Sequence, residues 1–455
     1  MRRWVSVFLG ITLIAALVGC SGQSGTSSQP QGGSTQGTTQ QSEQGTTSGT
    51  EQIKLVFWDT NNSGVLKDVV EQLAAEFEQQ HPGVKVEHRG WTTEELQKSL
   101  QRAVSSGEGP DIAQINNGES SMGPMVRAGL LVPMDQYDEK YGWSKRIAAG
   151  LLARNRYTDD GQTFGTGTLW GVSQTGEIIG FYYNRQIFEE NGVSVPTTFD
   201  ELEAAFETFK QKGVTPIVLG NLDKWPAIHV YGDLQGAYTT LEYLDQLIYH
   251  QGNQTWETDD IIVPAQKLQE WVQKGYLMEN FAGVGYDDAW KIFANGGGAT
   301  LLAGSWLSGD LAKAMGENVG FFLMPDRDRP TVHVGGVGLP YGIIKTTKHQ
   351  DLAAEFINFL VSDRAVELLI ANETLPGLPI GDEHIKEGTL SGDLYRAWNY
   401  ANQTNTVGHY MDWATPTFYD TLTASLQALM AGEMDPEGFA RELQRDYAAF
   451  LATKQ

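Results

Sequence analysis

Apolar residues recur along this chain with two periods, and the switching between them lays out its architecture. Ile53-Lys54-Leu55-Val56-Phe57-Trp58 reads as a mostly buried strand, closed by the polar run Asp59-Thr60-Asn61-Asn62. Val65, Val69, Leu73 and Phe77 then fall every four residues, one face of a helix, until His81-Pro82-Gly83 stops it. Val84 and Val86 alternate with Lys85 and Glu87 as a second strand. Thr92-Thr93-Glu94-Glu95 is a capping box opening a helix whose apolar face is Leu96, Leu100 and Val104. A turn over 107–110 leads into a third strand at 111–115 (DIAQI). The order βαβαβ predicts parallel strands with helices packed outside them.

The same alternation returns further along with different content. A strand is expected over 178–183. Thr198 then caps a helix carrying Leu202, Phe206 and Phe209, and Ile217-Val218-Leu219 forms the next strand. Near the end, 352–360 and 418–430 both carry the spacing of amphipathic helices.

The first fifty residues follow neither period. Arg2 and Arg3 precede an apolar stretch at 4–18, which is signal-peptide length and shorter than the roughly 20 residues that span a bilayer. The stretch closes with Leu17-Val18-Gly19-Cys20, a run that resembles the bacterial lipobox, where the leader (1–19) is cut away and the cysteine is acylated. The plainer alternative is an ordinary cleaved signal with an incidental cysteine. Cys20 is the only cysteine, so no internal disulfide can form. Residues 21–50 are almost all Ser, Gly, Gln and Thr with no aliphatic or aromatic side chain; 20–51 is therefore expected to be a disordered tether. A coil of that length reaches about 30 Å r.m.s..

The rest is too long for one compact core, and two lobes are expected. The formal net charge is −24, and losing Arg2 and Arg3 with the leader would make the chain more acidic still. Such acidity argues against nucleic acid and against docking on anionic lipid through a basic patch. No later stretch is apolar enough to cross a membrane.

Several stretches, taken in order and spacing, carry a family likeness: 77–86 (FEQQHPGVKV), 105–112 (SSGEGPDI), 128–135 (AGLLVPMD), 170–188 (WGVSQTGEIIGFYYNRQIF), 195–202 (VPTTFDEL) and 293–306 (FANGGGATLLAGSW). Through them the chain resembles the carbohydrate-binding branch of the extracellular solute-binding proteins of ABC transporters, from Ile53 almost to the C-terminus. Met134, Trp170, Ser173 and Phe199 depart from the usual Leu, Tyr, Pro and Trp. The resemblance implies an α/β, two-lobed periplasmic-binding-protein-like fold of type II with a hinged cleft. Residues 52–165 and 336–390 would form the N-terminal lobe, and 166–335 with 391–455 the C-terminal lobe. Crossings are expected near 165–172 and 335–341, both glycine-rich as a hinge allows, with a third near 390–400 by analogy. It also implies permease subunits as partners, a monomer held by lipid on Cys20 at the outer face of the cell membrane, and no cofactor.

A sugar shows hydroxyls at its edge and C–H groups on its faces, so its site needs flat rings beside bidentate polar groups. In open α/β sheets these come from loops at the carboxyl ends of strands. Trp58 and Asp59 end the first strand; Asn116, Asn117 and Glu119 follow the third; Asn221-Leu222-Asp223-Lys224-Trp225 follows 217–219. Trp306, beside Ser305, stands where the family resemblance implies a stacking ring. Tyr410-Met411-Asp412-Trp413 precedes the last long helices and pairs an acid with an indole. Trp58 equally fits a cap on the core, His333 a satisfied structural histidine, and Glu177 and Tyr182 side chains turned inward. Trp225 and Trp413 are both expected on the cleft surface, so alanine at either should weaken binding and spare folding. Lys224 is the only basic residue on these loops, which favours a neutral glycan over a phosphate.

The chain has no G-x-S-x-G elbow, no G-x-x-x-x-G-K-[ST] loop and no H-E-x-x-H. The expectation is a transport receptor and not an enzyme. The alternatives are a cell-surface glycoside hydrolase, which needs only two carboxylates, and a surface lipoprotein with no transport role.

Overall fold

The computed structural model describes residues 52–454; the leader, Cys20 and the tether lie outside the described residues. In chain order the strands are β1 (Ile53–Asp59), β2 (Val84–Gly90), β3 (Ile112–Gln114), β4 (Arg156–Tyr157), β5 (Thr168–Leu169), β6 (Gly176–Asn184), β7 (Ile217–Val218), β8 (Thr300–Gly304), β9 (Val319–Phe322), β10 (Gly335–Val337) and β11 (Tyr341–Ile343). The first sheet has the order β11-β3-β1-β2. Its β1 runs parallel to β2 from Ile53↔Val84 to Asp59↔Gly90 and parallel to β3, and β11 joins β3 antiparallel. This is the βαβαβ unit that the hydrophobic pattern predicts.

The helices form where that pattern places them. Val65, Val69, Leu73 and Phe77 are buried on Gly64–Gln80. Thr92 and Glu95 cap Thr93–Ser106 reciprocally, satisfying two of the amide groups that a helix start leaves open. Thr198 caps Phe199–Gln211, which buries Leu202, Phe206 and Phe209. Gln350–Leu360 and Phe418–Met430 are helical.

The second sheet has the order β10-β6-β8-β7, and β9 also pairs with β6. β6 is antiparallel to β8, β9 and β10; β10 takes residues 176–178 of one edge and β9 takes 181–184. β7 is parallel to β8. The helix Pro226–Tyr238 is buried along all but its last residue. It can lie that deep because Gly236 meets backbone: a Cβ there would stand 1.7 Å from the Val332 carbonyl oxygen.

The chain passes between the sheets three times. Val172 still bridges Tyr341 of β11, while Gly176 opens β6. The return lies between β10 and β11. The last passage separates the helix Asp363–Ala371, packed beside Gly64–Gln80, from the helix Leu390–Gln403, packed on β9. The three lie against one another: the amides of Gly338 and Gly377 donate to the carbonyls of Thr175 (2.8 Å) and Gln174 (2.9 Å). The result is an α/β body of two lobes joined by adjacent connections, the arrangement of a hinge. No helix among the described residues is long and apolar enough to cross a membrane.

Candidate functional site

The carboxyl end of β7 leads into a tight loop that the sequence builds from both of its ends. Asn221 accepts the Ala227 amide at 2.9 Å, and Asp223 accepts the Tyr286 amide at 2.7 Å. Lys224 takes a left-handed conformation (φ 69°) and points to solvent. This turn sets Trp225 at the entrance of the buried helix, with Pro226 at its first position. His229 follows one turn later on the same face.

Around Trp225 the rings form a continuous band. Its centroid lies 4.3 Å from Tyr286, 5.2 Å from His229 and 6.3 Å from Trp306. Trp306, on the turn after β8, donates its indole N–H to the Tyr286 hydroxyl at 2.6 Å. His229 lies 5.4 Å from Trp306 and 5.6 Å from Tyr410, and Tyr410 lies 5.4 Å from Trp413. Trp225, Tyr286, Trp306 and Tyr410 are part-exposed, whereas His229 and Trp413 are buried. Exposed aromatic faces in one row on a polar-rimmed surface are platforms for the C–H faces of sugar rings.

The band ends on the other lobe. Trp413 Nε1 donates to Asn116 Oδ1 at 3.1 Å, and Asn116 Nδ2 donates to Asp412 Oδ2 at 2.9 Å. Asn116 belongs to the loop after β3, so this pair of bonds ties the first sheet's loop to the 410–413 segment. Tyr410 donates its hydroxyl to Glu177 Oε2 at 2.9 Å. Burial pushes Glu177 up to about 7, against the lowering effect of the Tyr410 bond, and pushes Asp412 up to about 6, against that of Asn116. Burial holds His229 down to about 3, so it is neutral at physiological pH.

The Glu177 shift has a stability consequence. Between its ordinary value near 4.5 and its folded value about 7, the folded protein holds the proton more tightly than the unfolded chain, so stability declines as pH rises through that window. Glu177→Gln should therefore raise the stability of the ligand-free protein by roughly 1–3 kcal/mol at pH 8 and by much less at pH 4. Melting curves at the two pH values would test this; an equal effect at both would remove desolvation of Glu177 as the cause.

Other residues expected at the site are placed within the framework. Asp59 is fully buried and accepts from His88 Nε2 at 2.8 Å and from Asn61. Asn117 donates to the Arg154 carbonyl (2.7 Å) and Asn155 (2.6 Å). Glu119, also buried, pairs with Arg127 at 2.6 Å and with Lys454 at 3.2 Å. Trp58 is buried against Trp91. Ser305 bonds Ile178 and Gly176, and the Tyr182 hydroxyl bonds the Gly304 carbonyl at 3.0 Å. His333 is buried with neither ring nitrogen bonded, its backbone held by Thr406 and Gly408. The structure thus gathers Trp225, Trp306, Tyr410, Asp412 and Trp413 with Asn116 and Glu177. Sequence reasoning missed Tyr286 and His229. His229 had a signal in its spacing of four from Trp225; Tyr286 had none, being joined through a contact with Trp306 that no local pattern announces.

Among the described residues no three His, Cys, Asp or Glu side chains converge as a metal site requires. An open groove lined by Val366, Ile370, Leu378 and Pro379 shares no residue with the band and lacks its aromatic faces.

Two α/β lobes joined by adjacent connections, with an aromatic band at their seam, define a binding-protein fold. Residues 63–367 match the model of the bacterial extracellular solute-binding protein family, and the chain belongs to that family. It is 27% identical over 352 residues to an uncharacterized ABC transporter extracellular-binding protein of Pyrococcus horikoshii, covering 75% of this chain and 70% of that one. It is 23% identical over 338 residues to the multiple sugar-binding protein of Streptococcus mutans, covering 72% and 75%. The solved structure of a chitin oligosaccharide binding protein superposes with a TM-score of 0.77 at 22% identity, over 88% of this chain and all of that one.

Proposed function

We propose that this protein is the substrate receptor of an ABC importer, which holds a neutral oligosaccharide between its lobes and delivers it to permease subunits without altering it. The observation that carries this reading is the part-exposed row Trp225, Tyr286, Trp306 and Tyr410, ending on acceptors from both lobes. Rings supply the apolar faces; Asn116, Asp412 and Glu177 supply acceptors for paired hydroxyls. Ligand touching both lobes favours the closed arrangement by its differential affinity for it. Relatives named for multiple sugars and for chitin oligosaccharide support the ligand class. A neutral ligand is favoured because Lys224 is the only basic residue on the candidate loops and its side chain is exposed, whereas a phosphate calls for a cluster of Arg or Lys.

A lipid anchor on Cys20 at the outer face of the membrane completes the reading, resting on the Leu17-Val18-Gly19-Cys20 run. Incorporation of a palmitate analogue, lost in Cys20→Ala, tests that part separately.

The deciding experiment is a thermal-shift screen of neutral oligosaccharides. A ligand at a hundred times its Kd adds about 2.7 kcal/mol to the folded state, a clear rise in Tm. A flat response across xylo-, gluco-, galacto- and chito-oligosaccharides would overturn the receptor reading. One observation favours a second reading: Glu177 and Asp412 are two desolvated carboxyls with raised pKa values, which is how glycosidases prepare an acid. Shortened products after incubation with the same sugars would decide for the hydrolase.

A further inference from the structure

Next to the Asn116–Trp413 contact the seam carries a charge cluster that the aromatic band does not use. Glu119, in the turn after β3, is fully buried, and each of its carboxylate oxygens meets a cation. Oε2 accepts from Arg127 of its own lobe at 2.6 Å, and Oε1 accepts from the Lys454 ammonium at 3.2 Å. Arg127 is held a second time, its Nη1 donating to the Gly161 carbonyl at 2.9 Å. Gly123 leaves room for this pocket: a Cβ there would stand 2.9 Å from Glu119 Oε2 and 2.8 Å from the Tyr157 hydroxyl. Lys454 comes from the other lobe. It follows the helix Pro436–Thr453, which packs on the helices Asp259–Gln273 and Phe418–Met430.

The ammonium has a further partner in each lobe. It donates to the Gln162 carbonyl at 3.0 Å, between β4 and β5, and stands 3.3 Å from His250 Nδ1. The Ala414 carbonyl lies 2.6 Å from His250 Nε2 and can only accept, so Nε2 carries the proton and Nδ1 accepts from Lys454. Burial holds His250 down to about 4, which keeps the ring neutral and that lone pair open. Ala414 directly follows Trp413, and Gly118, beside Glu119, lies against Trp413. One side chain thus joins the loop after β3 to the segment that carries Tyr410, Asp412 and Trp413. Moving the lobes apart would withdraw Lys454 from Glu119 and Gln162 and leave a buried carboxylate on one guanidinium. Hydrogen bonds to a buried charge cost more to lose than neutral ones.

We propose that Lys454 is an inter-lobe clasp: inserted into the Glu119 pocket, it holds loop 116–119 against segment 410–414 in the ligand-free protein. Its effect on binding rests on the receptor reading; the lobe contact itself does not. Apparent affinity falls with the fraction of protein in the binding-competent arrangement. A residue outside the aromatic band therefore tunes affinity by setting how much of the protein has its two ligand-facing segments already together.

The test is small-angle scattering and calorimetry on the full chain carrying Lys454→Met, which keeps the aliphatic stem and removes the charge. Without ligand, the variant should have a larger radius of gyration than the unmutated protein. At saturation with an oligosaccharide that shifts the wild-type Tm, the two radii should coincide. Affinity for that sugar should fall about fivefold. Arg445→Met removes the same charge from an exposed position on the same helix and should match the unmutated protein in all three measurements. Equal ligand-free radii in the unmutated protein and Lys454→Met would overturn the clasp and leave the receptor reading intact. A lower Tm with radius and affinity unchanged would also overturn it, making Lys454 a structural pairing only. Should no oligosaccharide bind the unmutated protein, the receptor reading falls, and the ligand-free radii still decide the lobe contact.

Discussion

Replacing Trp413 with alanine should destabilise the protein by roughly 3–5 kcal/mol, the range for removing a buried large aromatic side chain. Its ring is 1% exposed. It packs edge-on against Phe164 and beside His409 and Tyr410, with the Arg154 guanidinium 6.0 Å from its centroid. A Cβ on Gly118 would stand 2.3 Å from the Trp413 Cβ, so the N-terminal-lobe loop already sits directly on this residue. Alanine would open a cavity at the seam and leave Asn116 without its indole donor. Binding would weaken as well, because Asn116 and Asp412 lose the ring that positions them. This corrects the expectation from sequence that Trp413 could be removed without cost to folding: an indole beside an acid before a long helix looks like a cleft ring, and only its neighbours reveal a core ring. Trp413→Phe should keep most of the packing and lose about 1 kcal/mol with the Asn116 bond. Urea unfolding of both variants checks the pair; a wild-type midpoint for Trp413→Ala would mean that the ring is not part of the core.

Local pattern was enough for the first lobe's scaffold. Period four over 65–77, alternation at 84–87 and the Thr92–Glu95 box are each written in consecutive residues, and each formed as read. The site was legible as a set of places only in part: loops after strands hold Trp225 and Trp306, but Tyr410 and Trp413 follow the helix Leu390–Gln403, and Tyr286 and His229 lie on helices. It was not legible as a set of free side chains. Asp59 is engaged by His88 on the adjacent strand, and Glu119 by Lys454 at the far end of the chain. Asp223 is engaged by the amide that opens the helix Tyr286–Ala294. A carboxylate already bonded by distant partners has the same sequence signature as one waiting for a ligand. Glu177 shows the reverse: its strand position suggested a core residue, yet it is part-exposed and accepts the hydroxyl of Tyr410, a residue far along the chain.

Truncating the part-exposed rings should give the opposite signature to Trp413→Ala. Trp225→Ala and Trp306→Ala are each expected to weaken oligosaccharide binding by roughly 1–3 kcal/mol, with a smaller change in Tm. Of the two, Trp306→Ala should perturb folding more, because its indole N–H is the donor to the Tyr286 hydroxyl. The rings are 6.3 Å apart and share both Tyr286 and His229 as neighbours, so the double variant should lose less than the two single losses combined. Such coupling would mean that one sugar face is held by a ring cluster acting together. Calorimetry on the four proteins of this cycle, with an oligosaccharide that shifts the wild-type Tm, measures it. Unchanged affinity in both single variants would take the band out of the site. Strict additivity would instead assign the two rings to separate sugar units, and the ligand would then have to run along the band.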